Sequence, residues 1–209
     1  MSDMTETTQQ PETKIIRGGM SLDEFIERMN RGEDFEIING EVVEGEPMKY
    51  WHGRIANRIS RAINALTLPA DLGEAFVEMV FILPDAIGPN WIKGSRKPDV
   101  LFISQARMKA YEEQQSDWRD LPLALVPDWV VEIISETDKY SDVSEKVQGY
   151  LRDGVKLVWI VEPPLQQVTV YTPNSSVQTI YKAADTLTGG DVLPGFSATV
   201  GDLIGVAQG

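Results

Sequence analysis

Trp129-Val130-Val131-Glu132-Ile133-Ile134 places one carboxylate inside a run of large apolar residues. A short apolar run of this kind reads as a strand buried on both faces. Strand side chains alternate, so Glu132 shares a face with Val130 and Ile134. A lone carboxylate there costs several kcal/mol unless it is paired or liganded. Two similar runs flank it, Val100-Leu101-Phe102-Ile103 and Leu157-Val158-Trp159-Ile160-Val161, and residues 75–83 read as a further strand. Lys49 to Leu66 reads as a helix: Trp51, Ile55, Ile59, Ala62, Ile63 and Leu66 form one apolar stripe at helical spacing. Ser141 to Arg152 reads as a second helix, stopped by Gly154. The order helix, strand, strand, strand, helix, strand predicts an α/β fold with a central mixed sheet flanked by helices.

Outward from this core the signals are local. Ser21-Leu22-Asp23-Glu24 is a capping box, predicting a helix over 21–30 that ends before Gly32. Asn39-Gly40 between Phe35–Ile38 and Glu41–Glu44 predicts an N-terminal hairpin. The connection 105–127 should hold a short helix near 106–114. Short strands are expected at 167–172 and 177–182, split by Pro173-Asn174, and then a polar, turn-rich tail. Residues 1–14, rich in Thr, Gln, Glu and Pro, read as a disordered acidic tail, leaving 15–209 as a single domain.

Composition narrows the chemistry. The 209 residues include no cysteine and one histidine, His52. Disulfides, thiolate metal sites and multi-histidine sites within one chain are thereby excluded. No apolar run reaches the ~18 residues of a membrane span, the polar N-terminus does not read as a secretion signal, and the whole fits the cytoplasm. The net charge is −13, which opposes non-specific binding to nucleic acid. The acidity is uneven. Residues 1–46 carry 12 acids and 4 bases, whereas Pro47 to Ala70 holds no acid and contains Lys49, Arg54, Arg58 and Arg61.

Asp99 stands at the mouth of the Val100–Ile103 strand. If neighbouring strands bring it beside Glu132, the two carboxylates repel, and a divalent cation would relieve both that repulsion and the burial of Glu132. Oxygen ligands suit Mg²⁺ or Mn²⁺. Lys146 borders the apolar face of the 141–152 helix (Val143, Val147, Tyr150, Leu151) and can reach the sheet. It could stabilise charge on a scissile phosphate, or it could simply pair with Glu132. Asp128 shares strand parity with Glu132 and competes with Asp99 for the acidic role. Arg54, Arg58 and Arg61 form a stripe that could track a phosphate backbone, or be a solvated helix face, and Lys97 could join a DNA-facing patch.

The chain resembles the Uma-two family of restriction endonucleases, within the PD-(D/E)xK nuclease superfamily. The resemblance rests on Phe35-Glu36-Ile37-Ile38-Asn39-Gly40-Glu41, on His52 opening the long helix and on Lys97-Pro98-Asp99-Val100. It continues through Val131-Glu132-Ile133-Ile134-Ser135, Asp142 through Lys146 to Tyr150, Gly154-Val155, Leu157 to Val161 and Leu193-Pro194-Gly195-Phe196. It implies a restriction-endonuclease-like core, with the hairpin before it and short strands after it. It further implies a metal-dependent endonuclease hydrolysing DNA with metal-activated water. Asp99 matches the motif aspartate and Glu132 the motif acid; both would hold Mg²⁺ or Mn²⁺, with the backbone carbonyl of Ile133 as a further ligand. The motif lysine position is Ile134 here, and Lys146 on the next helix takes its place. Where the family often has proline after the strand serine, this chain has Glu136. Glu41 and His52 are accessory candidates, and a homodimer acting on two strands is expected. Two alternatives stand beside this: a catalytically inactive binding or interaction module with Glu132–Lys146 as a structural ion pair, and a hydrolase of a smaller phosphodiester.

Overall fold

The computed structural model describes residues 18–45, 49–88, 90–135, 138–173, 175 and 178–205. The expected acidic tail, 1–14, lies outside these residues. A six-stranded sheet runs in chain order: Gly73–Val77, Val100–Ser104, Trp129–Ile133, Leu157–Glu162, Gln167–Tyr171 and Thr179–Lys182. Neighbours are antiparallel except for Trp129–Ile133 and Leu157–Glu162, which are parallel. A parallel pair cannot be closed by a tight turn and needs a crossover. Helix α4, Tyr140–Asp153, lies in that crossover. The sheet is therefore mixed, as expected from the sequence.

The remaining helices are α1, Leu22–Asn30; α2, Tyr50–Thr67; α3, Gln105–Gln114; and α5, Val200–Ile204. Ser21 caps α1 by accepting the Glu24 N–H at 3.1 Å. Strands Phe35–Ile38 and Glu41–Glu44 form the predicted hairpin, and Asn39 (φ 53°) and Gly40 (φ 84°) both take the left-handed backbone that a tight two-residue turn demands.

Strand alternation sends residues of the sheet into two cores. Val100, Phe102, Trp129, Val131 and Trp159 pack with Ile55, Ile59 and Ile63 of α2. Leu101, Ile103, Val130, Val158 and Ile160 pack with Val147 and Tyr150 of α4. Both faces are covered, which is why all five residues of Trp129–Ile133 are buried. A smaller cluster, with Phe25, Phe35, Ile37 and Ile92, lies under α1 and the hairpin.

Two expectations are corrected. The strand expected over 75–83 breaks after Val77: Glu78 adopts φ 50°, which ends the ladder, and Phe81–Ile82 pairs with Ser95–Arg96 instead. The expected polar tail is structural. Thr186–Gly189 and Leu193–Thr199 form a hairpin leading into α5. Leu187, Leu193, Phe196, Val200 and Leu203 from this segment are buried in the α2-side core. Phe196 sits edge-on to Trp129, with ring centroids 5.5 Å apart. Phe196→Ala should therefore cost about 3–5 kcal/mol in urea denaturation; a loss below 1 kcal/mol would mean that the segment does not belong to the core.

Candidate active site

The pairing of the two central strands decides where the carboxylates go. Trp129, Val130 and Val131 stand opposite Phe102, Leu101 and Val100. Continuing that register by one residue sets Glu132 opposite Asp99. Directly opposed residues of an antiparallel pair point to one face. Asp99 Oδ2 accepts the Ile133 N–H at 2.6 Å, and Oδ1 lies 2.7 Å from Nε2 of His52 in the first turn of α2. The His52 nitrogen is buried and out of line for a good hydrogen bond to that oxygen.

Glu132 is 5% exposed. α4 supplies both of its partners, one turn apart. Tyr150, itself buried, donates its hydroxyl to Oε1 at 2.5 Å, and Lys146 Nζ lies 3.0 Å from Oε2. Burial pushes the Glu132 carboxyl up; Lys146 pulls it down, Asp99 and Glu36 push it up again, and the balance is about 7. Glu132 in turn raises Lys146, against the effect of burial. Burial and the Glu132 charge also raise the Tyr150 phenol, so it remains a proton donor. At His52, burial disfavours the charged ring, but Asp99, Glu132 and Glu78 outweigh it and raise the pKa.

These groups line a cleft of about 470 Å³ at the end of the central strands. Among the described residues its walls carry eight carboxylates, including Glu36, Glu78, Asp138 and Asp142, against three lysines and His52. Among the described residues, no three His, Cys, Asp or Glu side chains converge closely enough to hold a metal ion by themselves. The donor set still fits a hard divalent cation: Mg²⁺ is characteristically held by one or two carboxylates and keeps its other positions for water and phosphate.

The structure brings Asp99, Glu132, Ile133, Lys146, His52 and Lys97 into this cleft. It does not bring Glu41, which is exposed on the far strand of the hairpin. Glu36, on the first strand of the hairpin opposite Val43, takes part instead, accepting the Lys97 N–H at 2.7 Å. Lys97 is only 17% exposed and is held by Asp34 (3.0 Å) and Glu78 (3.4 Å), so its charge is already spent on the cleft wall. The arginine stripe lies elsewhere. Arg54 stacks over Tyr50, Arg58 donates to the Asp202 carbonyl at 3.2 Å, and Arg61 donates to the Asn57 carbonyl. Asp128, at the opposite end of its strand, accepts the Ser104 N–H and pairs with Lys156 (2.7 Å) and Arg107 (3.0 Å). It is a buried structural acid. Sequence reading missed three participants. Tyr150 was signalled by its i, i+4 spacing from Lys146. Glu36 was signalled by its alternation with buried Phe35 and Ile37. Glu78 carried no signal, because its position depends on the break after Val77.

The raised Glu132 value has a stability consequence. With a folded value near 7 against an ordinary 4.5, the folded protein binds this proton more tightly than the unfolded chain does. The group's stabilising contribution is full below about pH 4.5 and is lost as pH rises through 7. The change is on the order of 3 kcal/mol. Glu132→Gln removes it. In urea titrations, the stability of wild type minus that of Glu132→Gln should fall by about that amount between pH 5 and pH 8. A difference independent of pH would mean that Glu132 titrates as an ordinary carboxylate.

Comparison with known proteins identifies the fold and the family. A search of curated proteins finds no significant match. One solved structure, described as a putative nuclease belonging to DUF820 from Anabaena variabilis ATCC 29413, shares the fold: TM-score 0.71, 21% identity, covering 89% of this chain and 98% of that one. The family model for Uma2, described as "putative restriction endonuclease", matches residues 22–201. That span holds the central sheet and every residue of the cleft, and the chain belongs to the Uma2 (Uma-two) family.

Proposed function

We propose that this protein is a metal-dependent endonuclease that hydrolyses phosphodiester bonds in DNA. The observation that carries the reading is the facing pair Asp99 and Glu132 at the strand ends, one of them buried. Two carboxylates placed together at such a cost are explained if a divalent cation neutralises them. Family membership and the described nuclease of the same fold support the same class of chemistry.

Asp99 and Glu132 would hold Mg²⁺ or Mn²⁺, with the Ile133 carbonyl at the same strand end. The bound ion supplies an acidified water and a Lewis acid for the phosphoryl oxygens. The Ile133 N–H orients Asp99, His52 stands beside its other oxygen, and Tyr150 orients Glu132. Lys146 offers a cation to the charge that develops on the phosphate. Cutting both strands of a duplex calls for two copies of this site, so we propose a homodimer as the working unit.

A second reading has its own observation. Glu132 is already satisfied by Lys146 and Tyr150, and the cleft is acidic in a chain of net charge −13. On that reading the ion pair is structural and the protein is a non-catalytic binding module.

Calorimetric titration with Mn²⁺ separates the two. Wild type should bind, and Asp99→Asn and Glu132→Gln should each weaken binding at least tenfold and abolish Mn²⁺-dependent nicking of plasmid DNA. Absence of binding by folded wild type would leave the module reading standing and the nuclease reading refuted.

A further inference from the structure

Lys146 and Tyr150 hold the two oxygens of Glu132 in different ways. Tyr150 is 1% exposed and locked in the α4-side core, and it donates to Oε1 without carrying a charge. Lys146 is on the same helix, but its side chain is 46% exposed and it holds Oε2 as a charge on a flexible stem. An ammonium on Oε2 occupies an oxygen that an ion would use, and it repels that ion. A second cleft, of about 220 Å³, adjoins the first. Lys146 lines both; the second cleft also holds Arg96, which is paired with Asp153, and Arg152, while Glu36, Asp142 and Glu145 offer carboxylates to an ammonium that moves.

We propose that Lys146 is a place-holding counterion. Its ammonium occupies Glu132 Oε2 until a divalent ion takes that oxygen, and then leaves for the mouth shared with the second cleft, while Tyr150 keeps Oε1 fixed. The proposal rests on the metal-site reading above and adds to it a displaceable lysine and a fixed tyrosine. It explains why a carboxylate meant for an ion can sit buried without one, and how a lysine beside the ion site becomes free for the phosphate when the ion arrives.

The two partners should then have opposite effects on ion affinity. In Mn²⁺ titrations of the full chain at pH 8, Lys146→Met, which keeps an apolar stem and removes the competitor, should tighten binding about fivefold or more. Tyr150→Phe, which frees Oε1, should weaken it about tenfold or more, in the range usual for groups that orient a ligand. A second readout is independent of affinity. Acetylation of Lys146 by an N-hydroxysuccinimide ester, quantified by peptide mass spectrometry against Lys109, should rise severalfold on saturation of wild type with Mn²⁺. Weaker binding by Lys146→Met, or acetylation unchanged at saturation, overturns the proposal and leaves the metal site intact. Failure of wild type to bind Mn²⁺ refutes the metal site and this proposal together, whatever Lys146→Met does.

Discussion

The structure is organised around one expensive placement, an ionisable carboxylate on the inward face of a central strand. Glu132 is almost cut off from water where it stands, so protein groups must satisfy it. Both groups that do so come from α4, at positions 146 and 150, one turn apart. α4 can meet this strand because it belongs to the crossover joining the parallel pair Trp129–Ile133 and Leu157–Glu162. The crossover that the topology requires is thus also the element that completes the site. A helix on the other face, α2, contributes His52 to the same point from its first turn. The cleft forms where the sheet ends and the two helical layers come within reach of each other around its edge.

Register does the rest. The antiparallel pairing that sets Trp129 opposite Phe102 also brings Asp99 beside Glu132, and a slip of one residue would turn Glu132 to the α2 face. The apolar residues enforce the pairing. Trp129 and Trp159 meet edge to face on the α2 side, with centroids 4.4 Å apart, while Val130 and Val158 are buried on the α4 side. Neither tryptophan touches the cleft chemistry. Their bulk fixes which face each residue takes, and so where the two carboxylates lie. Asp128 supports the same alignment from the far end of its strand, through the Ser104 N–H, Lys156 and Arg107.

Much of this could be read from residues alone, because the signals were local. Apolar runs marked the central strands, Ser21 and Glu24 marked the start of α1, and Asn39-Gly40 marked the hairpin. A mid-strand acid marked the candidate site, but the meeting of Asp99 and Glu132 was only a condition on which strands are neighbours, and the register that meets it comes from the fold. What was not legible depended on long-range packing. The C-terminal segment spaces Leu187, Leu193, Phe196, Val200 and Leu203 irregularly, with Gly189, Gly190, Pro194 and Gly195 between them. Its apolar residues gather on the sheet only when the hairpin and α5 are folded. Glu78 reaches the cleft through a left-handed residue that strand propensity does not reveal. Lys97 looked like a cation free for DNA because its partners, Asp34 and Glu78, are distant in sequence.

The charge of the chain gains a different meaning at the cleft. A net charge of −13 weighs against a protein that approaches a polyanion through a broad basic face, and the arginine stripe of α2 lies outside the cleft, with Arg58 bonded to α5 and Arg61 to its own helix. The acidity inside the cleft follows another logic. Carboxylates that surround a point raise the local affinity for a small cation, and a cation held there reverses the sign of the field that an incoming phosphate meets. Lys97 and Lys146 moderate the cleft without neutralising it: one is clamped into the wall, the other is half-exposed beside Glu132. An acidic protein can therefore act on a polyanion if attraction is confined to a metal-loaded point and is not spread over a surface. Binding of DNA by such a protein would depend on the ion more than on the protein's own charge.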